Sequence, residues 1–236
     1  MSPEIVILAG TAATIAFVHT ILGPDHYLPF IVLSRARQWS GLKTAVITFL
    51  CGIGHVLSSV ALGFIGIALG IAIFKLEAVE AFRGEIAAWL LIAFGFTYFI
   101  WGVHRAIRNL PHRHTHLHES GDSHLHPHAH LGEHAHPHGS DLRSLTPWVL
   151  FTIFVFGPCE PLIPLIMYPA ATNNMTSVVL VASIFGLITI GTMLSIVLAS
   201  SYGLSRLPLL CMERYSHALA GLVIFLSGGA IKVLGL

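Results

Sequence analysis

A long apolar segment near the start of the chain, residues 4–33, contains two histidines and an aspartate around a Gly23-Pro24 pair. The segment is long enough to cross a bilayer, which takes about 20 apolar residues. An ionisable group at bilayer depth costs roughly 2.5–3.5 kcal/mol on insertion scales, so such groups are rare and mark functional sites. Glycine and proline together also interrupt a helix. The stretch from His19 to His26 therefore predicts a broken membrane helix with a polar site at the break.

The composition of the whole chain agrees with a membrane protein. Of the 236 residues 55% are hydrophobic and only 10% are charged, whereas a soluble domain carries about 25% charged residues. The net charge of +1 with neutral histidine predicts no nucleic-acid partner. Three cysteines do not form a disulfide framework. We expect an integral protein of the cytoplasmic (inner) membrane, with the lipid bilayer as its surroundings.

Six apolar segments predict an all-α membrane protein with about six transmembrane helices. They cover residues 4–33, 42–74, 84–107, 145–170, 175–203 and 215–235. Lys and Arg collect in the loops on the cytoplasmic side of a membrane protein. With these spans, nine of the 12 basic residues fall on one side. We therefore expect that side, which includes the long polar loop, to be cytoplasmic, and both termini to lie outside.

The two halves of the chain resemble each other in the order of their features. Gly23-Pro24 in the first segment corresponds to Gly157-Pro158 in the fourth, and we expect the helices to be broken at both pairs. Because three spans is an odd number, the second half enters the membrane from the opposite side, as in the inverted repeats of many secondary transporters. We expect a first three-helix repeat, a histidine-rich cytoplasmic loop and a second three-helix repeat, over residues 1–107, 108–141 and 142–236.

The break decides whether His19 and His26 can share one ion. In an unbroken helix, seven residues at about 1.5 Å each would separate them by roughly 10.5 Å. Two nitrogens bound at about 2.0–2.1 Å to one metal lie no more than about 4 Å apart. The Gly-Pro pair lets Asp25 and His26 fold back toward His19. Since imidazole and carboxylate are ligands for borderline divalent metals, we expect His19, Asp25 and His26 to bind one.

Three further residues are candidates for the same site. His55 lies among small residues that let helices approach closely, so we expect it to face the bundle and to act as another metal ligand. Cys159 and Glu160 lie at the break in the second half and are candidate gate residues or additional ligands. Simpler interpretations stay open: a structural polar network, a hydrogen bond between helices at His55, and a plain kink at each Gly-Pro pair.

The polar loop between the third and fourth segments contains eleven histidines within residues 112–138. Such a segment cannot bury enough apolar surface to fold alone, and histidine-rich tracts bind metals. Unperturbed imidazole has a pKa near 6.5, so most of these groups are free ligands at neutral pH. We expect the loop to collect or sense metal rather than to form the transport site, through His112, His114, His116, His118, His124, His126, His128, His130, His134, His136 and His138.

These motifs together resemble the nickel/cobalt transporter superfamily, especially its efflux proteins with a histidine-rich cytoplasmic loop. The resemblance is carried by the His19…Asp25-His26 cluster, by Gly54-His55 and by Pro158-Cys159. It implies Ni²⁺ or Co²⁺ as substrate, with the first-half histidines and aspartate as ligands. The chain departs from the uptake members, since five residues rather than four separate the first histidine from the Asp-His pair and the acidic second-half motif is missing.

The sequence therefore predicts a membrane transporter of divalent transition-metal ions, with nickel/cobalt efflux favoured and zinc as a further candidate. We expect no enzymatic activity and no cofactor beyond the transported ion. Two alternatives come from weaker resemblances. One is thiol-redox transfer, because residues 158–164 resemble the cysteine motif of membrane proteins that deliver reducing equivalents to cytochrome c maturation. The other is a metal-binding protein similar to urease accessory membrane proteins. A homo-oligomer also stays open.

Overall fold

The computed structural model describes residues 3–108, 112–117, 123–128, 142–172, 174–205 and 214–234. Within these ranges the chain forms eight α-helices, a 3₁₀ turn over Pro24–His26 and one short β-hairpin. The helices and strands, in chain order, are α1 (Pro3–Leu22), α2 (Leu28–Ala36), α3 (Gly41–Ala68), α4 (Ile73–Arg108), β1 (His112–Leu117), β2 (Ser123–His128), α5 (Leu142–Phe156), α6 (Leu162–Ala171), α7 (Met175–Ser205) and α8 (Ser216–Leu234).

Five helices in the described ranges are long and apolar enough to cross a membrane, namely α1, α3, α4, α7 and α8. The prediction of an all-α membrane protein is thereby confirmed. The fourth predicted segment, residues 145–170, consists instead of two shorter apolar helices, α5 and α6, on either side of a break. Neither half is long enough to span alone, since a span takes about 20 residues.

The boundary between the second and third predicted segments is also different. Helix α3 ends at Ala68, and α4 begins at Ile73, well before the predicted start at residue 84. The chain turns at Gly70, which has a φ of +63°, and the Ile71 N–H donates to the Gly66 carbonyl at 2.8 Å. This hydrogen bond is the one expected at a glycine C-cap. In these first turns of α4, Leu76 and Glu80 are buried against the other helices.

The histidine-rich segment contains an antiparallel hairpin of β1 and β2, where sequence reasoning expected a loop without structure of its own. His112, His114 and His116 are the Cα partners of His128, His126 and His124. Histidine at every second position matches the two-residue period of a strand. Five of the predicted metal-collecting residues lie outside the described ranges: His118, His130, His134, His136 and His138.

Each half of the chain has the same order of elements: a helix, a break, a short helix and two long helices. The broken helix α1 packs against α7 of the second half, and α5 packs against α3 of the first half. The long helices α4 and α8 pack extensively against each other. The two halves are thus interleaved, while their inverted orientation in the bilayer stays a prediction.

The α4–α8 interface brings two backbones into direct contact. A Cβ atom on Gly95, Gly102 or Gly221 would lie 2.2–2.4 Å from a backbone nitrogen of the other helix. No side chain fits at such a separation, so glycine is required at all three positions. Membrane helices commonly use small residues in this way to gain close packing.

Two groups of buried apolar side chains form the interior and meet at His55. Phe154 belongs to one group and Cys159 to the other. The Phe154 ring centroid lies 6.1 Å from that of His55, and the Cys159 sulfur contacts the His55 ring directly. The polar residues singled out in the sequence therefore lie where the two apolar groups adjoin.

Candidate metal centre

Three histidines from different elements converge inside the bundle. His19 lies in the last turns of α1, His26 in the 3₁₀ turn that follows, and His55 in the middle of α3. One ring nitrogen from each lies within 4.8 Å of the other two. It is the one such group of metal-ligating side chains in the part of the chain that the structure describes. His26 and His55 are buried, and His19 is partly buried.

The break at Gly23 and Pro24 is what brings His26 close to His19. Helix α1 closes with a hydrogen bond from the Gly23 N–H to the His19 carbonyl at 3.0 Å, and the His26 N–H then donates to the Gly23 carbonyl at 3.1 Å. This tight turn puts the ring centroids of His19 and His26 4.8 Å apart. A Cβ atom on Gly23 would lie 2.3 Å from Nδ1 of His26, so the turn leaves no room for a side chain there.

The hydrogen-bond partners of His26 and His55 fix which ring nitrogen faces the cluster. Nδ1 of His26 lies 3.1 Å from the Gly23 carbonyl and 3.2 Å from Oδ1 of Asp25. Nδ1 of His55 lies 3.4 Å from the Phe154 carbonyl. Since these oxygens only accept hydrogen bonds, each Nδ1 carries the hydrogen in the neutral ring and each Nε2 keeps a lone pair. Both lone pairs are therefore available to a cation.

Those two Nε2 atoms, of His26 and His55, lie 3.3 Å apart. In a tetrahedral site with bonds of about 2.0–2.1 Å, two nitrogen ligands are about 3.3–3.4 Å apart. A carbonyl or carboxylate on the other ring nitrogen is the usual support of a metal-binding histidine. Nε2 of His19 is buried and has no hydrogen-bond partner. The Nε2 atoms of His26 and His55 thus already have the separation of two ligands of one ion, and the His19 nitrogen, within 4.8 Å of them, has to move closer to become the third.

Asp25 lies behind His26 rather than among the three nitrogens. Its Oδ1 contacts Nδ1 of His26, on the opposite side of the ring from Nε2, and the side chain is 28% exposed. In this position the carboxylate orients the imidazole and adds a negative charge close to the cluster. The sequence alone could not separate this arrangement from direct ligation.

The break in the second half brings Cys159 to the cluster but leaves Glu160 outside it. Sγ of Cys159 is fully buried and lies 2.9 Å from Nε2 of His55. Glu160 is exposed and lines a cavity beside the cluster. A Cβ atom on Gly157 would lie 2.9 Å from Nδ1 of His55. Each break thus has a glycine packed against one of the imidazoles.

A buried ion pair, Glu80 with Arg83, supports the second break and was missed by sequence reasoning. Glu80 is fully buried and accepts hydrogen bonds from Ser59 at 3.1 Å and from the Cys159 backbone N–H at 3.2 Å. Arg83 pairs with Glu80 and donates to the Val155 carbonyl at 2.8 Å. The sequence does show an acidic and a basic residue three positions apart, but the third predicted span, residues 84–107, begins after both of them.

A cavity of about 390 Å³ adjoins the cluster. His19, Asp25 and His55 line one part of it. Glu85 and Lys232, which form an ion pair between α4 and α8, line another part and are 45% and 38% exposed. The cavity therefore extends from His19 and His55 toward the protein surface.

No known protein family, curated protein or solved structure matches this chain. The likeness to nickel/cobalt transporters accordingly depends on the short motifs quoted above.

Proposed function

We propose that the protein is a membrane transporter of divalent transition-metal ions and that His19, His26 and His55 bind the ion inside the bilayer. The observation that carries this proposal is the convergence of three imidazole nitrogens within 4.8 Å in a chain of membrane-spanning helices. Buried ionisable groups are costly at that depth, which is why they mark ion pathways. A structural polar network would instead need a proton between Nε2 of His26 and Nε2 of His55, which makes one ring a charged imidazolium buried between the helices.

The ligand set indicates a borderline metal. Neutral imidazole binds Zn²⁺, Ni²⁺ and related ions, whereas Mg²⁺ and Ca²⁺ prefer oxygen. The resemblance described above favours Ni²⁺ or Co²⁺ as substrate, and the 3.3 Å separation of the two Nε2 atoms also suits Zn²⁺. Asp25 lowers the cost of holding a divalent charge there by supplying a nearby carboxylate.

Efflux is the favoured direction. The distribution of Lys and Arg assigns the histidine-rich segment to the cytoplasm, where it would gather the ion before transport. The same distribution assigns Lys232 to the outer side, and Lys232 lines the cavity that leads from the imidazoles. On this proposal the cavity is the exit route, and the conformation described here is open to the outside.

Transport is tested by measuring nickel, cobalt, zinc and copper in cells with and without the protein. Cells that make it should hold less of the exported metal and tolerate more of it. His26→Ala and His55→Ala should each abolish the difference, while the matched control His104→Ala, at an exposed histidine on α4, should preserve it. Unchanged metal content with correctly inserted protein would favour a metal-binding protein without transport activity.

Thiol-redox transfer is the second candidate, because a buried free cysteine lies at the second break. Such transfer needs a partner sulfur, and the corresponding position of the first break is Asp25. The Cys159 thiol instead contacts an imidazole. A thiol carrier would lose all activity in Cys159→Ser, whereas a metal carrier with three remaining imidazoles should keep part of its flux.

A further inference from the structure

Cys159 has a thiol directed at the nitrogen that the histidine cluster leaves free. Its Sγ lies 2.9 Å from Nε2 of His55, and the residue is fully buried. The contact joins the break of the second half to a histidine of the first half. A simple S–H···N hydrogen bond would use one lone pair, that of His55, and would leave Nε2 of His26 facing it at 3.3 Å without a hydrogen. A cation between the three atoms accommodates all of them.

The backbone of Cys159 is held in place by two buried polar side chains. Its N–H donates both to Ser59 and to the buried carboxylate of Glu80. Its carbonyl accepts from Leu162 at 2.9 Å, at the start of α6. Two buried polar partners on one N–H fix the direction in which the side chain leaves the backbone.

Arg83 completes this support from the other side of the break. Its guanidinium donates to the carbonyls of Val155 at 2.8 Å and Gly157 at 3.4 Å, at the end of α5. The last carbonyls of a helix have no partner within it, so they need such a donor when buried. Glu80 and Arg83 therefore hold the acceptor end of α5 and the Cys159 N–H with one ion pair.

We infer that the Cys159 thiolate is the fourth ligand of the ion bound by His19, His26 and His55, with Glu80 and Arg83 as the residues that position it. This inference rests on the proposed function for its metal, but not on transport. Three nitrogens and one sulfur complete the four-coordinate set that zinc and cobalt adopt in thiolate sites.

The Cys159–His55 distance requires only a small rearrangement, and the His19 nitrogen, within 4.8 Å of the other two ring nitrogens, has to move closer as well. With bonds of about 2.0–2.1 Å to nitrogen and about 2.3 Å to sulfur, a tetrahedral site separates these two ligands by about 3.5 Å. Sγ lies 2.9 Å from Nε2 of His55, so the sulfur has to withdraw by about 0.6 Å. A change of the Cys159 side-chain torsion supplies that movement without disturbing the two hydrogen bonds on its backbone N–H.

Two consequences follow for the transported ion. A thiolate favours the softer members of the divalent series, such as Zn²⁺, Co²⁺ and Cd²⁺, over Mn²⁺ and Mg²⁺. The ion is also held by both halves of the chain at once. If the two halves separate during transport, the sulfur leaves first and the site loses affinity.

The inference is tested by titrating Co²⁺ into the purified full-length protein while recording its absorption spectrum. Tetrahedral cobalt gives visible d–d bands, and a bound thiolate adds a sulfur-to-cobalt charge-transfer band in the near ultraviolet. The charge-transfer band should be present in the wild type and lost in Cys159→Ser, with d–d bands retained. A matched control in which Cys51 and Cys211 are both changed to serine should keep the charge-transfer band.

The outcomes separate this inference from the proposed function. Intense d–d bands without a charge-transfer band, or a band that survives Cys159→Ser, would overturn the thiolate ligand and leave a histidine-only transport site. A charge-transfer band that needs Cys159, in a protein that moves no metal, would support the ligand and overturn transport. If His55→Ala leaves the cobalt spectrum unchanged, the whole site is wrong.

Discussion

Nε2 of His26 and Nε2 of His55 lie 3.3 Å apart although both carry lone pairs. Each ring donates its Nδ1 hydrogen to oxygen, His26 to Gly23 and Asp25, and His55 to Phe154. Two acceptors this close repel unless a proton or a metal ion lies between them. The chain thus fixes two imidazoles, through their far nitrogens, in the arrangement that a bound metal needs.

Asp25→Asn should weaken metal binding by about 10–100-fold, the usual effect of losing a partner of a ligating histidine. The amide keeps the size of the side chain but removes the negative charge near Nδ1 of His26. The dissociation constant for Co²⁺, measured by competition with a coloured chelator, checks this. The d–d bands should persist, since the three imidazoles remain; an unchanged dissociation constant would contradict an orienting role.

Gly23→Ala should also weaken metal binding, in this case through a steric clash. The added methyl group would lie 2.3 Å from Nδ1 of His26, so the ring has to move away from His55. We expect metal affinity to fall by at least about 10-fold, comparable with loss of a supporting residue. Gly10→Ala, in the same helix but with open space around the added methyl, is the matched control and should bind as the wild type does. Equal affinity in the two variants would show that the turn tolerates a side chain.

Glu80→Ala should destabilise the protein by up to about 3–5 kcal/mol, because it leaves the largely buried Arg83 charge without its carboxylate partner. The guanidinium would still contact the α5 carbonyls, but the Cys159 N–H would lose one acceptor. Denaturant unfolding in detergent gives the loss, with Glu77→Ala, at an exposed position of the same helix, as control.

The Glu80→Gln variant tests whether Glu80 positions the Cys159 thiol or only stabilises the fold. The amide oxygen can still accept from the Cys159 N–H, so this variant should be less destabilised than Glu80→Ala. If Glu80 positions the thiol, the sulfur-to-cobalt band should weaken or shift in this variant. If the Glu80→Gln protein is destabilised but its cobalt spectrum is that of the wild type, Glu80 has only a structural role.

Gly221→Ala should weaken the α4–α8 interface by about 1–3 kcal/mol, the usual cost of overpacking. Its Cβ would lie 2.2 Å from the backbone nitrogen of Phe99, which cannot move aside as a side chain could. Gly229→Ala, on the same helix with nothing near the added methyl, should leave the unfolding midpoint unchanged or slightly raised. Similar midpoints for both variants would mean that the helices separate more easily than their packing indicates.

Deleting residues 112–138 should lower the rate of metal efflux at low metal concentration and leave it nearly normal at high concentration. The three imidazoles of the proposed transport site come from outside this segment, so we expect its removal to take away metal collection but not the site itself. The efflux rate, measured over a series of external or cytoplasmic metal concentrations, checks this. A deletion as damaging as His26→Ala at every concentration would place the segment in the transport step.

The sequence predicted those features of the fold that depend on local chemistry. Long apolar runs indicated membrane helices, and Gly23-Pro24 indicated the break, because each of these features is determined by residues that are neighbours in the sequence. The start of α4 was predicted too late because Glu80 and Arg83 were read as polar residues outside the span, whereas they pair inside it. They neutralise each other within α4, and their remaining hydrogen bonds go to Ser59, Val155 and Cys159 on other elements.

The candidate site was predictable in composition but not in arrangement. His19, His26 and His55 stand out as ionisable residues in apolar segments, yet no local rule says that α3 brings His55 to the first break. The contact between Cys159 and His55 spans 104 positions and depends on how the two halves interleave. For the same reason the sequence could not tell whether Asp25 touches the ion or the ring of His26.

If the protein is the transporter proposed above, the backbone contact between α4 and α8 limits how it can change shape during a transport cycle. Gly95, Gly102 and Gly221 bring the two backbones into direct contact, so we expect this pair to move as a single unit. Any rearrangement that closes one side of the ion site and opens the other must then take place among the short helices around the two breaks. The mobile parts of the cycle are thereby the same segments that carry His26 and Cys159.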